Sequence, residues 1–234
     1  MRGWAISLLL LVPYLWLVLG QGRTQADLVI TFAGTNTPNL IGLAIDSNTD
    51  NLFVSDYANT RILRYDAVTT LTASSTPSAT FTSAGQIPYG IFVDNSSTLW
   101  SSDLSTNSVV FWNGASTGGG SSTISGSFGG GGAVSSQTMY SPQGQFVDSL
   151  GNLWVADAGN NRVLRFDNVK SKTSGAPADG VLGQAFFNQS QSGISAEQMA
   201  NPEAVFVDSS GNVWVSDLKN NRLVRDFSLP YFHA

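Results

Sequence analysis

Two aspartates recur at a fixed offset four times along the chain, and carboxylates repeated in this way could do chemistry. Asp46, Asp94, Asp148 and Asp208 are each followed nine or ten positions later by a second aspartate, at Asp56, Asp103, Asp157 and Asp217. Gathered in a ring, the first set could hold a hard cation through oxygen ligands. The same residues are also what tight turns require, because a short carboxylate accepts bonds from the amides of its own turn. An aspartate in every copy favours the turn role. Arg61, Arg162 and Arg222 stand five positions after their second aspartates. Such pairs could serve function or pin a hairpin, the latter at under ~1 kcal/mol each where exposed. Phe53, Trp100, Trp154 and Trp214 share one position. They could stack on a sugar, but regular mid-strand placement assigns them to packing between sheets.

Catalytic groups are scarce. The one histidine is His233, there is no cysteine, and the two glutamates are Glu197 and Glu203. A Ser-His-Asp triad, a three-histidine zinc site and thiol catalysis cannot be assembled from that set. The Gly/Ser stretch 114–132 (GASTGGGSSTISGSFGGGG) has no lysine after its glycines, so it is read as a flexible connection and not a phosphate loop. With 11 Lys plus Arg against 16 Asp plus Glu, the net charge is −5, which argues against nucleic acid as a partner. No cofactor and no metal are expected.

The elements that position these residues come from an internal repeat. Four segments align: 39–66, 87–112, 141–167 and 201–227, with the interval between first aspartates growing from 48 to 54 to 60 residues. Within the third copy, Gln145–Val147, Asn152–Val155 and Arg162–Phe166 alternate as strands, joined by Asp-, Asn- and Gly-rich turns. Ala79–Thr82, Thr123–Ser125 and Gly180–Gly183 supply a fourth strand after the first three copies. Repeated four-stranded antiparallel units at this period predict an all-β fold, a β-propeller spanning 27–227. Copy four lacks a fourth strand, and Leu28–Phe32 is an apolar segment without a partner. Pairing of the two would close a four-blade ring; otherwise the four copies are part of a larger propeller. The tail 228–234 leaves the repeat pattern.

Residues 1–22 read as a secretory signal peptide. Arg2 precedes an apolar run from Trp4 to Leu19, and small residues place cleavage after Gly22 or, alternatively, after Ala26. The rival reading is a retained membrane anchor. Secretion is the expectation, with no membrane association after cleavage. Asn95 and Asn188 each begin an N-x-S sequon and are glycosylation candidates.

The phrase SPQGQFVDSLGNLWVADAGNNRVLRFD, nearly repeated as NPEAVFVDSSGNVWVSDLKNNRLVRDF, resembles the NHL repeat. Copy two departs from it, with Ser108 where the others carry arginine. The resemblance spans about residues 28–227 and implies a propeller without naming what it binds. Enzymes of related propeller classes, peptidyl-amidating lyases and gluconolactonase-like hydrolases, use zinc-binding histidines or a carboxylate–Asn metal site. This chain has few residues for either. RNA binding, known among intracellular NHL propellers, conflicts with the net negative charge.

Antiparallel order puts the Asp-x-x-Asn turns and the connections between copies on one face. The inserts 84–89, 129–143 and 185–202 gather there and carry Tyr89, Met139, Tyr140, Phe186 and Phe187. Aromatic and soft side chains on loops over a rigid scaffold suit a binding face. The sequence therefore predicts a non-catalytic extracellular module binding a protein, peptide or glycan. Asn188 falls on that face and Asn95 on the opposite one.

Overall fold

The structure, a computed structural model, describes residues 6–11, 14–19, 39–72, 75–82, 85–120 and 123–226. The expected cleavage positions, the Leu28–Phe32 strand, His233 and the 228–234 tail lie outside these residues. Within the apolar segment 4–19, β1 (Ile6–Leu11) and β2 (Tyr14–Leu19) pair as an antiparallel hairpin. Among the described residues no helix is long and apolar enough to cross a membrane.

Four sheets follow, one per repeat. Blade I is β3 (Leu40–Asp46), β4 (Asn51–Asp56), β5 (Arg61–Tyr65) and β6 (Ala79–Phe81). Blade II is β7 (Pro88–Val93), β8 (Leu99–Asp103), β9 (Ser108–Trp112) and β10 (Gly126–Gly129). Blade III is β11 (Pro142–Val147), β12 (Leu153–Asp157), β13 (Arg162–Phe166) and β14 (Gly180–Leu182). Blade IV has three described strands, β15 (Pro202–Val207), β16 (Val213–Asp217) and β17 (Arg222–Asp226). All neighbours are antiparallel in chain order. Contacts run from β3 to β7, β7 to β11 and β11 to β15, so the first strands form the inner wall of a propeller.

The fourth strand of blade II is displaced from the expected Thr123–Ser125. Phe128 pairs with Val109 as Phe81 does with Ile62 and Leu182 with Val163. Each of these three side chains is buried. Phe128 therefore sets the register, while Ile124 lies before the strand and only leans on the core between blades I and II. Part of the Gly/Ser stretch is thus ordered sheet.

Hydrophobic clusters sit between successive blades. Phe53, Ile62 and Phe81 meet Val93, Leu99 and Trp112 between blades I and II. Trp100, Val109 and Phe128 meet Leu153, Leu164 and Phe166 between II and III. Trp154, Val163 and Leu182 meet Val205, Val213 and Val215 between III and IV. The repeated aromatic is thus a wedge-filler in the first three blades. Trp214 is only half-buried, and among the described residues no further sheet covers its side of blade IV.

The first aspartates are turn caps. Asp148 accepts the amides of Leu150 and Asn152 and the indole N–H of Trp154 at 2.9 Å. Asp94 and Asp208 repeat this with Trp100 and Trp214. Blade I has Phe53 in place of tryptophan, and Asp46 instead accepts the amide of Asn48 and the hydroxyl of Ser116.

Truncating Phe128 to alanine should cost about 3–5 kcal/mol in urea unfolding, and truncating Ile124 less than half as much; equal losses would return the strand to 123–125. A second expectation concerns acid. The Trp214 indole and the Asn212 side-chain amide hold Asp208 down to about 2, below the usual carboxylate range. A depressed folded-state pKa gives stability that is complete above about pH 4 and is lost as pH falls through about 2. The urea midpoint of Asp208→Asn should accordingly fall less steeply than wild type across that window.

Candidate functional site

The second aspartates close strand two of each blade at the end where the inserts arrive. Asp56, Asp157 and Asp217 are each followed by one turn of 3-10 helix, Tyr57–Asn59, Ala158–Asn160 or Leu218–Asn220, whose next residue takes left-handed backbone. Blade II has no helical turn there, but Asn107 adopts the same backbone at φ 55°. Asparagine is suited to that conformation, which accounts for the Asn-Asn signature.

Each of three aspartates also accepts the amide of the insert leading into its own blade: Ile87 N–H on Asp103, Tyr140 N–H on Asp157 and Ala200 N–H on Asp217. The carboxylates thus tie the incoming connection to the hairpin. In blades III and IV an arginine extends the tie. Arg162 donates from Nε to Asp157 at 2.7 Å, from Nη2 to the carbonyls of Ser135 and Thr138 at 2.8 Å, and from Nη1 to that of Phe187. Arg222 donates to Asp217 and to the carbonyls of Ile194, Ser195 and Gln198.

The side chains of Asp157 and Arg162 are both 0% exposed, so this pair is not the weak surface bridge that its spacing suggests. Burial pushes the Asp157 carboxyl up, while Arg162, the Tyr140 amide and Asn160 pull it down. In the Asp56–Arg61 pair the carboxylate is buried as well, but Arg61 is 40% exposed. Blade II replaces the arginine: Ser105 and Thr106 hydroxyls donate to Asp103, and Thr106 bonds Ser108.

On this frame the expected binding residues separate. Tyr140 and Phe186 are 62% and 61% exposed. Phe187 is half-buried against the core between blades II and III, and its carbonyl is taken by Arg162. Tyr89 is half-buried. Met139 is a correction: at 1% exposure it belongs to the core, because its amide bonds Gly130 and its side chain lies against Gly129 at the end of β10. Ile194, which was not singled out although insert 185–202 contains it, is 72% exposed. Tyr140 rests on Gly159, where a Cβ would come within 2.2 Å of the ring, so that glycine makes room for the exposed aromatic. Asn95 and Asn188 are both exposed. The Asn95 carbonyl accepts from Asn48, within the strand one-to-two turns at the other end of the blades.

A further set lies at the inner ends of the first strands. Tyr57 and Tyr89 meet edge to face with centroids 6.3 Å apart. Burial, the Glu203 carboxylate and Tyr57 together raise the pKa of Tyr89, so Glu203 is close enough for its charge to act there. Among the described residues no three His, Cys, Asp or Glu side chains cluster as metal ligands. The first aspartates each serve their own turn and do not form a ring of ligands.

The roles of the arginines are open to test. Arg162→Ala should cost about 3–5 kcal/mol, the scale for breaking a buried pair, and should speed amide exchange across 135–140. Arg61→Ala should cost less, because Arg61 is 40% exposed and Asn59 still bonds both oxygens of Asp56. Equal losses from the two would refute the distinction.

No protein-family model matches the chain, and no curated protein does. Solved structures do. A catalytically inactive virginiamycin B lyase from Staphylococcus aureus, with quinupristin, is similar at TM-score 0.63 and 14% identity over 94% of this chain and 61% of that one. An auxiliary nutrient binding protein from Bacteroides thetaiotaomicron is similar at TM-score 0.58 and 14% identity, over 91% and 56%. A Bacteroides thetaiotaomicron protein of unknown function gives 0.59 and 16%, over 91% and 56%. The chain spans about three fifths of the length of the first of these. At such identities the likeness concerns architecture alone, and the fold is a β-propeller.

Proposed function

We propose that the chain is a secreted propeller of the NHL-repeat kind and a non-catalytic binding module whose insert face takes a protein, peptide or glycan. The observation that carries this reading is the pairing of exposed apolar side chains with a fixed backbone. Tyr140, Phe186 and Ile194 stand out from inserts whose main chain is held by Asp157, Arg162, Asp217 and Arg222. Large aromatic groups on ordered loops bind with little loss of conformational freedom, and exposing them is otherwise unfavourable. Lyases and a nutrient-binding protein both occur among the similar folds, and a shared fold does not select between them. Under this reading the leader is removed on export, and a glycan at Asn188 would partly screen the binding face.

The test is to probe the purified, exported protein against peptide and glycan arrays, beside a Tyr140→Ser/Phe186→Ser double variant. Signals seen with wild type should fall about tenfold or more in the variant, with the urea midpoint little changed. Undiminished signals, or none with wild type, would refute the assignment to this face. Intact-mass analysis of the exported product should place its first residue at Arg23 or Asp27.

A further inference from the structure

The residue after the first position of each inner strand is Ile41 in blade I, Tyr89 in blade II, Gln143 in blade III and Glu203 in blade IV. These positions are brought close because the inner strands touch through their backbones. A Cβ on Gly90 would lie 2.5 Å from the Gln143 carbonyl, and one on Gly144 2.8 Å from that of Glu203. The Ser102 hydroxyl bridges from blade II to the Gln143 carbonyl, as Ser55 does from blade I to that of Tyr89. Tyr57 adds its ring from the turn beside Tyr89. Tyr89, Gln143 and Glu203 therefore share one rim, at the end of the inner wall where the inserts gather.

The chemistry of this rim is one-sided. The Glu203 side chain has no hydrogen bond or ion pair among the described residues, whereas Asp157 and Asp217, at the same end of the blades, are both paired with arginine. The Gln143 Oε1 is shielded from solvent without a donor. Tyr57 and Tyr89 contribute ring faces of negative electrostatic character. A carboxylate, an unsatisfied amide oxygen and aromatic rings all call for the same complement, a positively charged N–H donor. The chain's net charge of −5 favours the approach of such a group.

We infer that the rim formed by Tyr57, Tyr89, Gln143 and Glu203 receives a basic side chain, a lysine ammonium or arginine guanidinium, of a protein or peptide bound on the insert face. This rests on the insert-face reading and narrows it: the exposed aromatics supply contact area, while the rim selects for positive charge. Neutral glycans would gain from the rings but leave the carboxylate unpaired.

The probes are the Nα-acetyl amides of lysine, arginine and norleucine, titrated at low salt into the isotopically labelled full chain and followed by NMR. The basic probes should shift the Gln143 side-chain amide and the Gly144 backbone amide saturably, and the norleucine amide should not. Glu203→Gln should weaken the basic probes about tenfold, the size of a lost charge-assisted contact, while leaving folding intact. Tyr89→Leu should weaken them as well. Equal responses to norleucine, or unchanged binding by Glu203→Gln, would overturn the inference. The Tyr140→Ser/Phe186→Ser variant should still bind the small probes. Loss of array binding in that variant together with no response to the basic probes would sink the rim and leave the insert face standing. Rim binding without any array signal would do the reverse.

Discussion

A carboxylate buried at the end of each blade's second strand is the constraint on which the insert face depends. In blades II, III and IV it stands at the meeting point of a hairpin turn and a connection that arrives from the previous blade. Buried charge is tolerated only where its lone pairs are used, and here backbone amides, asparagine side chains and arginines use them. The aspartate therefore couples two tasks. It finishes the turn that sets strand pairing, and it fixes where the next stretch of chain enters. The inter-blade clusters hold the sheets against one another, but apolar packing has no direction. The directional bonds at the turns give the insert face a defined shape.

Much of the fold was legible in the sequence because its signals are local. Period-two alternation and Asp/Asn/Gly turns mark strands one to three of every copy, and strand four of blades I and III falls where its apolar residues stand. Blade II shows the limit. Ile124 and Phe128 are both apolar residues in a Gly/Ser background, and only pairing against Val109 distinguishes them. The turn role of the first aspartates was also readable, since, the Ser116 hydroxyl on Asp46 apart, their turn partners lie within six residues.

The candidate site was less legible. Its decisive contacts join residues far apart in sequence, with no periodic mark. Arg162 reaches back to Ser135 and forward to Phe187, and nothing in its spacing from Asp157 reveals this. Met139 and Tyr140 are adjacent and similarly apolar, yet one enters the core and the other faces solvent. The rim carries no repeat signal either. Tyr89, Gln143 and Glu203 differ in type, so a comparison of repeats sees variation where the fold sees one place. Positions at which copies disagree, flanked by positions at which they agree, are where a repeat protein can diversify its chemistry.

The arginines of blades III and IV bind main-chain oxygens of the inserts and none of their side chains. A clamp that reads only carbonyls is indifferent to which amino acids carry them. Residues along 135–138 and 194–198 could be exchanged without loosening the arginines' hold, except where a side chain itself ties the loop, as Thr138 does to Ser135 and Ala133 and Ser195 does to Gln198. The scaffold thereby separates holding a loop from choosing its surface. That separation allows recognition to drift or be selected without reopening the folding problem, and it marks the two inserts as places to randomise in a library.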